Sequence, residues 1–168
     1  AVTDINFMNV TGVETLAITA YTNSVTLSTY AATAGIATVQ DVAGASATIT
    51  ATGMTTGLTF KSLDGNDALT GGTGNDTFVF FSNNLTNADA INGTTGTDII
   101  RLDNNDGPTT GTAGNAVTAT IGDIANIDQI VINDLATADT NGDVTVAFNS
   151  YGSTDANGQR DISLLIDG

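Results

Sequence analysis

Residues 62–79 read SLDGNDALTGGTGNDTFV, two nine-residue strings that align position for position. Each sets glycine, asparagine and aspartate at fixed offsets and places a large apolar side chain two residues after the aspartate. The second string, 71–79, meets the pattern G-G-x-G-x-D-x-U-x at every specified position, where U is a large apolar residue. The first keeps Gly65, Asp67 and Leu69 in phase. A looser pair follows. GTTGTDIIR at 93–101 holds Gly93, Gly96, Asp98 and Ile100, and NLTNADAIN at 84–92 keeps Asp89 and Ile91.

The spacing carries a chemistry. Glycines let the first six positions of a unit bend until carbonyl oxygens point inward, and the sixth-position aspartate adds a carboxylate. A hard cation that takes roughly six to eight oxygen ligands is served by such a loop, and calcium is the natural occupant. The U residue then enters a short strand and points into the core, so one unit is a loop plus a strand and two units make one coil. The candidate ligand residues are Asp64, Gly65, Asp67, Gly72, Gly74, Asp76, Asp89, Gly93, Gly96 and Asp98. Asp67 and Asp76 are nine residues apart, as are Asp89 and Asp98, but Asp76 to Asp89 is thirteen because FFSNNLTN interrupts the phase. If the coil continues around that insertion, Asp67 stacks with Asp89 and Asp76 with Asp98, each pair 22 residues apart.

Outside the repeats, Thr, Ser or Ala alternates with a branched or aromatic residue in ETLAIT, SVTLS, ATV, ATITA and LTF. Period two with β-branched residues marks half-buried strands, and no segment carries a sustained helical stripe. The chain is therefore all-β. Short strands punctuated by Gly, Asn, Asp and Thr suit a solenoid, although a β-sandwich with strands at roughly 8–12-residue spacing gives the same alternation. Self-similarity separates the two. VTGVETLAI at 10–18 aligns with IANIDQIVI at 124–132, an offset of 114 residues, with Glu14 against Asp128. The expected organisation is solenoid rungs over 1–61, calcium-binding nonapeptides over 62–102 and the opening of a second β-rich module over 103–168. The start at Ala1 and the end inside DISLLIDG fit a piece of a longer repetitive chain.

Three basic against eighteen acidic residues give a net charge of −15, which attracts cations and repels nucleic acid and anionic lipid. Neither Cys nor His is present, so disulfides, Cys/His zinc sites and His-dependent triads are excluded. The apolar runs are far shorter than the ~20 residues of a membrane span, and no cleavable signal peptide is visible. Apolar residues make up 40% of the chain, which argues for a folded state despite the charge. DNNDG (103–107), DTNGD (139–143) and DANGQRD (155–161) lack the bidentate acid expected at the end of a calcium loop and read as turns.

The nonapeptides resemble the RTX family of calcium-binding repeats. The likeness covers residues 62–101, with one complete unit. Its implied fold is a parallel β-roll, with each ion between loops on the same side. Together with NVTGVETLAIT, FVFF and GTDIIRLDN, and with the abundance of Thr, Ala, Asn and Gly, the chain looks like bacterial surface-layer proteins and large RTX adhesins. That resemblance implies type I export and an extracellular, cell-surface location. The expected role is structural, a calcium-stabilised segment that self-associates into a lattice or filament; the alternative is the stalk or binding module of an adhesin. An enzyme is not expected: a polyuronate lyase needs a base beside its metal, and Arg101 alone lies near an Asp loop. Expected partners are calcium ions and copies of the same chain, without nucleic acid or membrane insertion.

Overall fold

The computed structural model describes residues 1–19, 23–41, 46–61, 64–81, 84–103, 117–133, 144–148 and 163–167. Fourteen strands run through it: β1 (Thr15–Ile18), β2 (Asn23–Thr26), β3 (Thr38–Asp41), β4 (Ala47–Thr50), β5 (Thr59–Lys61), β6 (Ala68–Thr70), β7 (Thr77–Phe81), β8 (Ala90–Asn92), β9 (Ile99–Asp103), β10 (Val117–Ile121), β11 (Asp123–Ala125), β12 (Gln129–Asn133), β13 (Val144–Phe148) and β14 (Ser163–Asp167). Seven form one sheet in the order β1-β3-β5-β7-β9-β12-β14, and five form a second in the order β11-β8-β6-β4-β2. The pair β10-β13 stands apart. Every strand pairing is parallel. From β1 to β9 the chain visits the two sheets in strict alternation, so each coil lays one rung on each sheet. This is a parallel β-solenoid, the fold expected from the repeats and not the sandwich that alternation alone would also allow.

The pleat sends alternate residues inward. On the seven-stranded sheet Leu16, Val39, Phe60, Phe78, Ile100 and Ile130 share one register column. Facing them on the other sheet are Val25, Ile49, Leu69, Ile91 and Ile124. All but the partly buried Leu16 are buried. Phe60 and Phe78 stack with centroids 4.7 Å apart and planes 7° from parallel, an aromatic contact that reinforces the column. The U residues Leu69, Phe78, Ile91 and Ile100 are thus core residues, one per rung. Units 62–70 and 71–79 supply β6 and β7, which lie in different sheets, so two nonapeptides complete one coil.

The insertion does not break the stack. Leu69 pairs with Ile91 and Phe78 with Ile100, both at 22 residues, so the extra residues are taken up in the turn after β7, where Leu85 is buried. The strands that end the two similar nonamers, β1 and β12, fall in one sheet and in the same register, with Glu14 and Asp128 at the same corner, whereas Ile124 and Ala125 of the second nonamer belong to β11 in the other sheet. β12 and β14 continue that sheet beyond the nonapeptides.

A short helix, α1 (Thr29–Ala34), departs from the all-strand expectation. Its six residues are too few for a helical stripe to show in the sequence. The cap comes from afar: Asp4, in the 3-10 turn Asp4–Phe7, accepts from the amides of Ser28 (2.8 Å), Ala31 (2.9 Å) and Tyr30 (3.1 Å). Those amides are the orphan donors of a helix start. Burial raises the Asp4 pKa, but the three amide bonds outweigh it and leave the carboxyl below its ordinary value. Gly35 ends the helix in the left-handed region at φ 99°.

Truncating the centre of the core column tests this packing. Phe78→Ala is expected to cost about 3–5 kcal/mol in urea denaturation, because it removes the stack with Phe60 and leaves a cavity between the sheets. A loss below about 1 kcal/mol would place Phe78 outside the core.

Candidate metal centre

The sixth-position aspartates stand immediately before the strands, at the two corners where loops enter the sheets. At the corner leading into the five-stranded sheet, Ala47, Asp67 and Asp89 are stacked in register. The Ala47 amide donates to Asp67 Oδ1 at 2.7 Å, and the Asp67 amide donates to Asp89 Oδ1 at 2.8 Å. At the opposite corner the column is Leu58, Asp76, Asp98 and Asp128. Here Leu58 donates to Asp76 Oδ1 (2.7 Å), Asp76 to Asp98 Oδ1 (2.8 Å) and Asp98 to Asp128 Oδ2 (2.7 Å). Each carboxylate therefore reaches back one coil to a backbone amide. Of the five predicted aspartates, the four at sixth positions are buried and Asp64 is half-buried, and the structure brings the four together in the expected pairs, Asp67 with Asp89 and Asp76 with Asp98.

The loops follow from the same contacts. Gly72 donates to Asp76 Oδ2 at 2.8 Å, and its carbonyl accepts from Thr94 Oγ1. Gly93 donates to the Ala125 carbonyl at 3.1 Å. Gly74 lies so close to the loop below that a Cβ would come within 2.3 Å of the Gly57 nitrogen. At Gly96 the backbone has φ +137° and a Cβ would meet the Gly74 carbonyl at 2.4 Å, so only glycine fits. Gly65 turns the preceding loop, and Asp64 Oδ1 beside it accepts from Asn84 Nδ2. The glycine spacing thus permits loop-on-loop packing, in addition to any role in directing carbonyls.

Burial dominates the electrostatics. It pushes Asp67 up to about 7; the Ala47 amide opposes the shift, and the charges of Asp89, Asp41 and Asp64 add to it. Asp98 is raised to about 6 by burial, against the Asp76 amide and with the charges of Asp76 and Asp128. Asp76 and Asp89 are raised as well, again by burial first. Stacked carboxylates out of water favour neutralisation.

The fit to a cation differs from one aspartate to the next. Asp76 spends one oxygen on Leu58 and the other on Gly72, and Asp89 spends Oδ2 on the Thr86 amide (2.7 Å) and hydroxyl (3.2 Å). Asp67 is different: its Oδ2 is buried without a hydrogen-bond partner. An uncompensated buried carboxylate oxygen is what a cation satisfies, and the residues at this corner fit one. Among the described residues no three acidic side chains converge on one point, so any ion here draws on main-chain oxygens or water to reach calcium's coordination number.

Three more aspartates, all outside the nonapeptides, are placed by the structure, and only the first joins these columns. Asp128 extends one column; its D-x-U spacing to Ile130 is the trace it leaves in the sequence, without the glycines. Asp4 caps α1, and Asp41 is buried at the end of β3. Arg101 is held by Asp103 through two bonds of 2.8 and 2.9 Å. The clusters 139–143 and 155–161, and 104–107 of the first cluster, lie outside the described residues. No helix among the described residues is long and apolar enough to cross a membrane. Comparison with family models, curated proteins and solved structures returned no match.

Two outcomes follow. Asp76→Ala leaves the buried amides of Leu58 and Gly72 without acceptors and should cost on the order of 1–3 kcal/mol for each already in chelator, with any ion lost from that corner adding to the cost in calcium. Denaturant midpoints in chelator and in calcium measure this. The folded pKa of Asp67, about 7, lies above its ordinary 3.8. The folded state then binds the extra proton between those values, and stability present below pH ~4 is lost as pH rises to ~7. In chelator the thermal midpoint should therefore fall from pH 5 to pH 8. A midpoint that rises over that interval would contradict the buried placement.

Proposed function

We propose that this chain is a structural segment of a bacterial surface layer or extracellular filament, a solenoid stabilised by calcium at its acidic corners. The observation that carries the reading is the column of buried aspartates at each corner, raised toward neutrality in a chain of net charge −15. The resemblance to RTX repeats supports it. So does the lack of cysteine in a chain that the resemblance places outside the cell, because without disulfides such a chain needs another cross-link. Asp64, Asp67 and Asp89 would serve one corner, Asp76 and Asp98 the other, with the carbonyls of the glycine loops. A bound divalent ion supplies positive charge that offsets their mutual repulsion.

The same residues give a switch. Without calcium, as in cytoplasm, the stacked carboxylates oppose the compact coil and the chain stays exportable; outside, ligand binding to the folded state draws it closed. Affinities of ~10⁻⁴ to 10⁻³ M, typical of extracellular modules, match that environment. A structural role needs no catalytic group, and Arg101, a basic residue near an aspartate loop, is already occupied by Asp103.

Circular dichroism and light scattering during a calcium titration against chelator test the proposal. β signal and assembly should both rise only with calcium. No response in either would overturn it. Electron microscopy of the calcium form then separates the two structural roles, with sheets or filaments expected for a layer and isolated rods for an adhesin stalk.

A further inference from the structure

Thr15 heads a register column that runs through Thr38, Thr59, Thr77, Ile99 and Gln129. At each of those later positions the amide donates to the carbonyl of the corner residue one coil earlier: Thr38 to Glu14, Thr59 to Ala37 and Ile99 to Asp76 at 2.9 Å, Thr77 to Leu58 at 2.8 Å, and Gln129 to Asp98 at 3.2 Å. β1 begins the seven-stranded sheet, and among the described residues no strand lies before it. Main-chain groups alternate sides along a strand. The Glu14 carbonyl faces β3, so those of Thr15 and Ala17, both exposed residues, face the open edge. The edge of the other sheet is blunted, since Val2 bridges Val25 and the Thr3 amide is taken by Asn6 Oδ1 at 2.8 Å.

The first coil is also apolar where it faces away from the stack. Val2, Val10, Val13 and Leu16 are only partly buried, whereas Val39 and Ile49 further along are fully buried; Ile5 and Met8 are 56% and 48% exposed. Solenoids that end in water carry a polar terminal cap, and an open strand edge beside apolar side chains is a surface for another coil. The corner agrees. Asp76, Asp98 and Asp128 each accept an amide from the coil before, and Glu14, exposed, is the acid at that corner of the first coil. β12, which ends the nonamer matching that of β1, is flanked by β9 on one side and β14 on the other.

We infer that the first coil docks the last coil of a second copy of this chain, β14 of one molecule pairing in parallel with β1 of the next. β14 ends the sheet that β1 begins, and every pairing in the molecule is parallel, so the joint continues the sheet without reversing it. Ser163 shares the column of Gln129 and hence of Thr15, which sets the register: Ser163 opposite Thr15 and Leu164 opposite Leu16. Such a head-to-tail contact does not close on itself and builds filaments. The inference rests on the self-associating structural reading above and names the surfaces that meet.

Cross-linking tests it, because the chain contains no cysteine. Thr15→Cys and Ser163→Cys are mixed, in calcium and in chelator, and treated with a short bis-maleimide. A covalent dimer is expected from the mixture and none from either variant alone. A dimer from Thr15→Cys alone would mean that two first coils meet, and overturns the inference. Assembly in calcium without any cross-link also overturns it and leaves the functional reading intact, the first coil then being covered by something other than a last coil. If calcium changes nothing but the mixture still cross-links, the calcium reading falls and the joint stands; no cross-link in either buffer refutes the joint. Ala17→Pro provides a second check. Its N–H faces the open edge, so the ladder to β3 is kept and the thermal midpoint of dilute protein should stay near that of the wild type. The concentration needed for assembly should rise about tenfold or more. Assembly at the wild-type concentration would overturn the inference.

Discussion

One hydrogen bond organises this molecule: a backbone amide at the corner of one coil donates to the carboxylate of an aspartate one coil further on. Strand ladders tie the sheets together, but a corner leaves its amides outside the ladder and out of water. Such donors must be satisfied. Asp67 and Asp89 do this at one corner, and Asp76, Asp98 and Asp128 at the other. Because the side chain reaches back toward the preceding coil, each rung is fixed to its neighbour in register before the apolar columns meet. The spacing of aspartate and U residue is the sequence form of that geometry: acid at the corner, one outward residue, then a core side chain.

The columns also define where the regular coil changes. On one side Gly122 stands in register where the next aspartate would be, since Asp123 pairs with Ala90, and the column ends. On the other it continues through Asp128, thirty residues after Asp98, because a corner needs only an acceptor and accepts a long detour between rungs. The insertion before Asp89 shows the same tolerance. Its turn lengthens, Leu85 goes into the core, and Thr86 supplies the donors for Asp89 Oδ2 that Gly72 supplies for Asp76. Loop length is free as long as the corner and the first inward residue are kept.

That distinction explains what could be read from the sequence. Strands β1 to β5 were legible in alternating Thr and branched residues, and the 22-residue stacking of Asp67 on Asp89 in the phase of the repeats, since both express the two-residue pleat. Less visible were long-range contacts with no period. Asp4 caps a helix 25 residues away, α1 is too short to display an apolar stripe, and Asp41 looks like the start of a turn although its side chain has core parity. The nonapeptide spacing also conveys only that an acid is wanted at position six. Whether it faces an amide or an ion depends on the neighbouring coil, which the local motif does not contain.

The choice between aspartate and asparagine sharpens that question. Either side chain offers one oxygen to the amide below, and asparagine does so without a buried charge. At Asp76 and Asp89 the second oxygen also accepts a donor, from Gly72 and Thr86 respectively, where an amide nitrogen would oppose donor to donor. Hydrogen bonding alone accounts for carboxylates there. At Asp67 it does not: Oδ2 has no donor, asparagine would serve Ala47 equally well, and burial, with the charges of Asp89, Asp41 and Asp64 adding to it, raises the pKa and so disfavours the charged form. A carboxylate kept where an amide would suffice has a use for its charge, so the case for a bound cation is strongest at the corner where hydrogen bonds explain least.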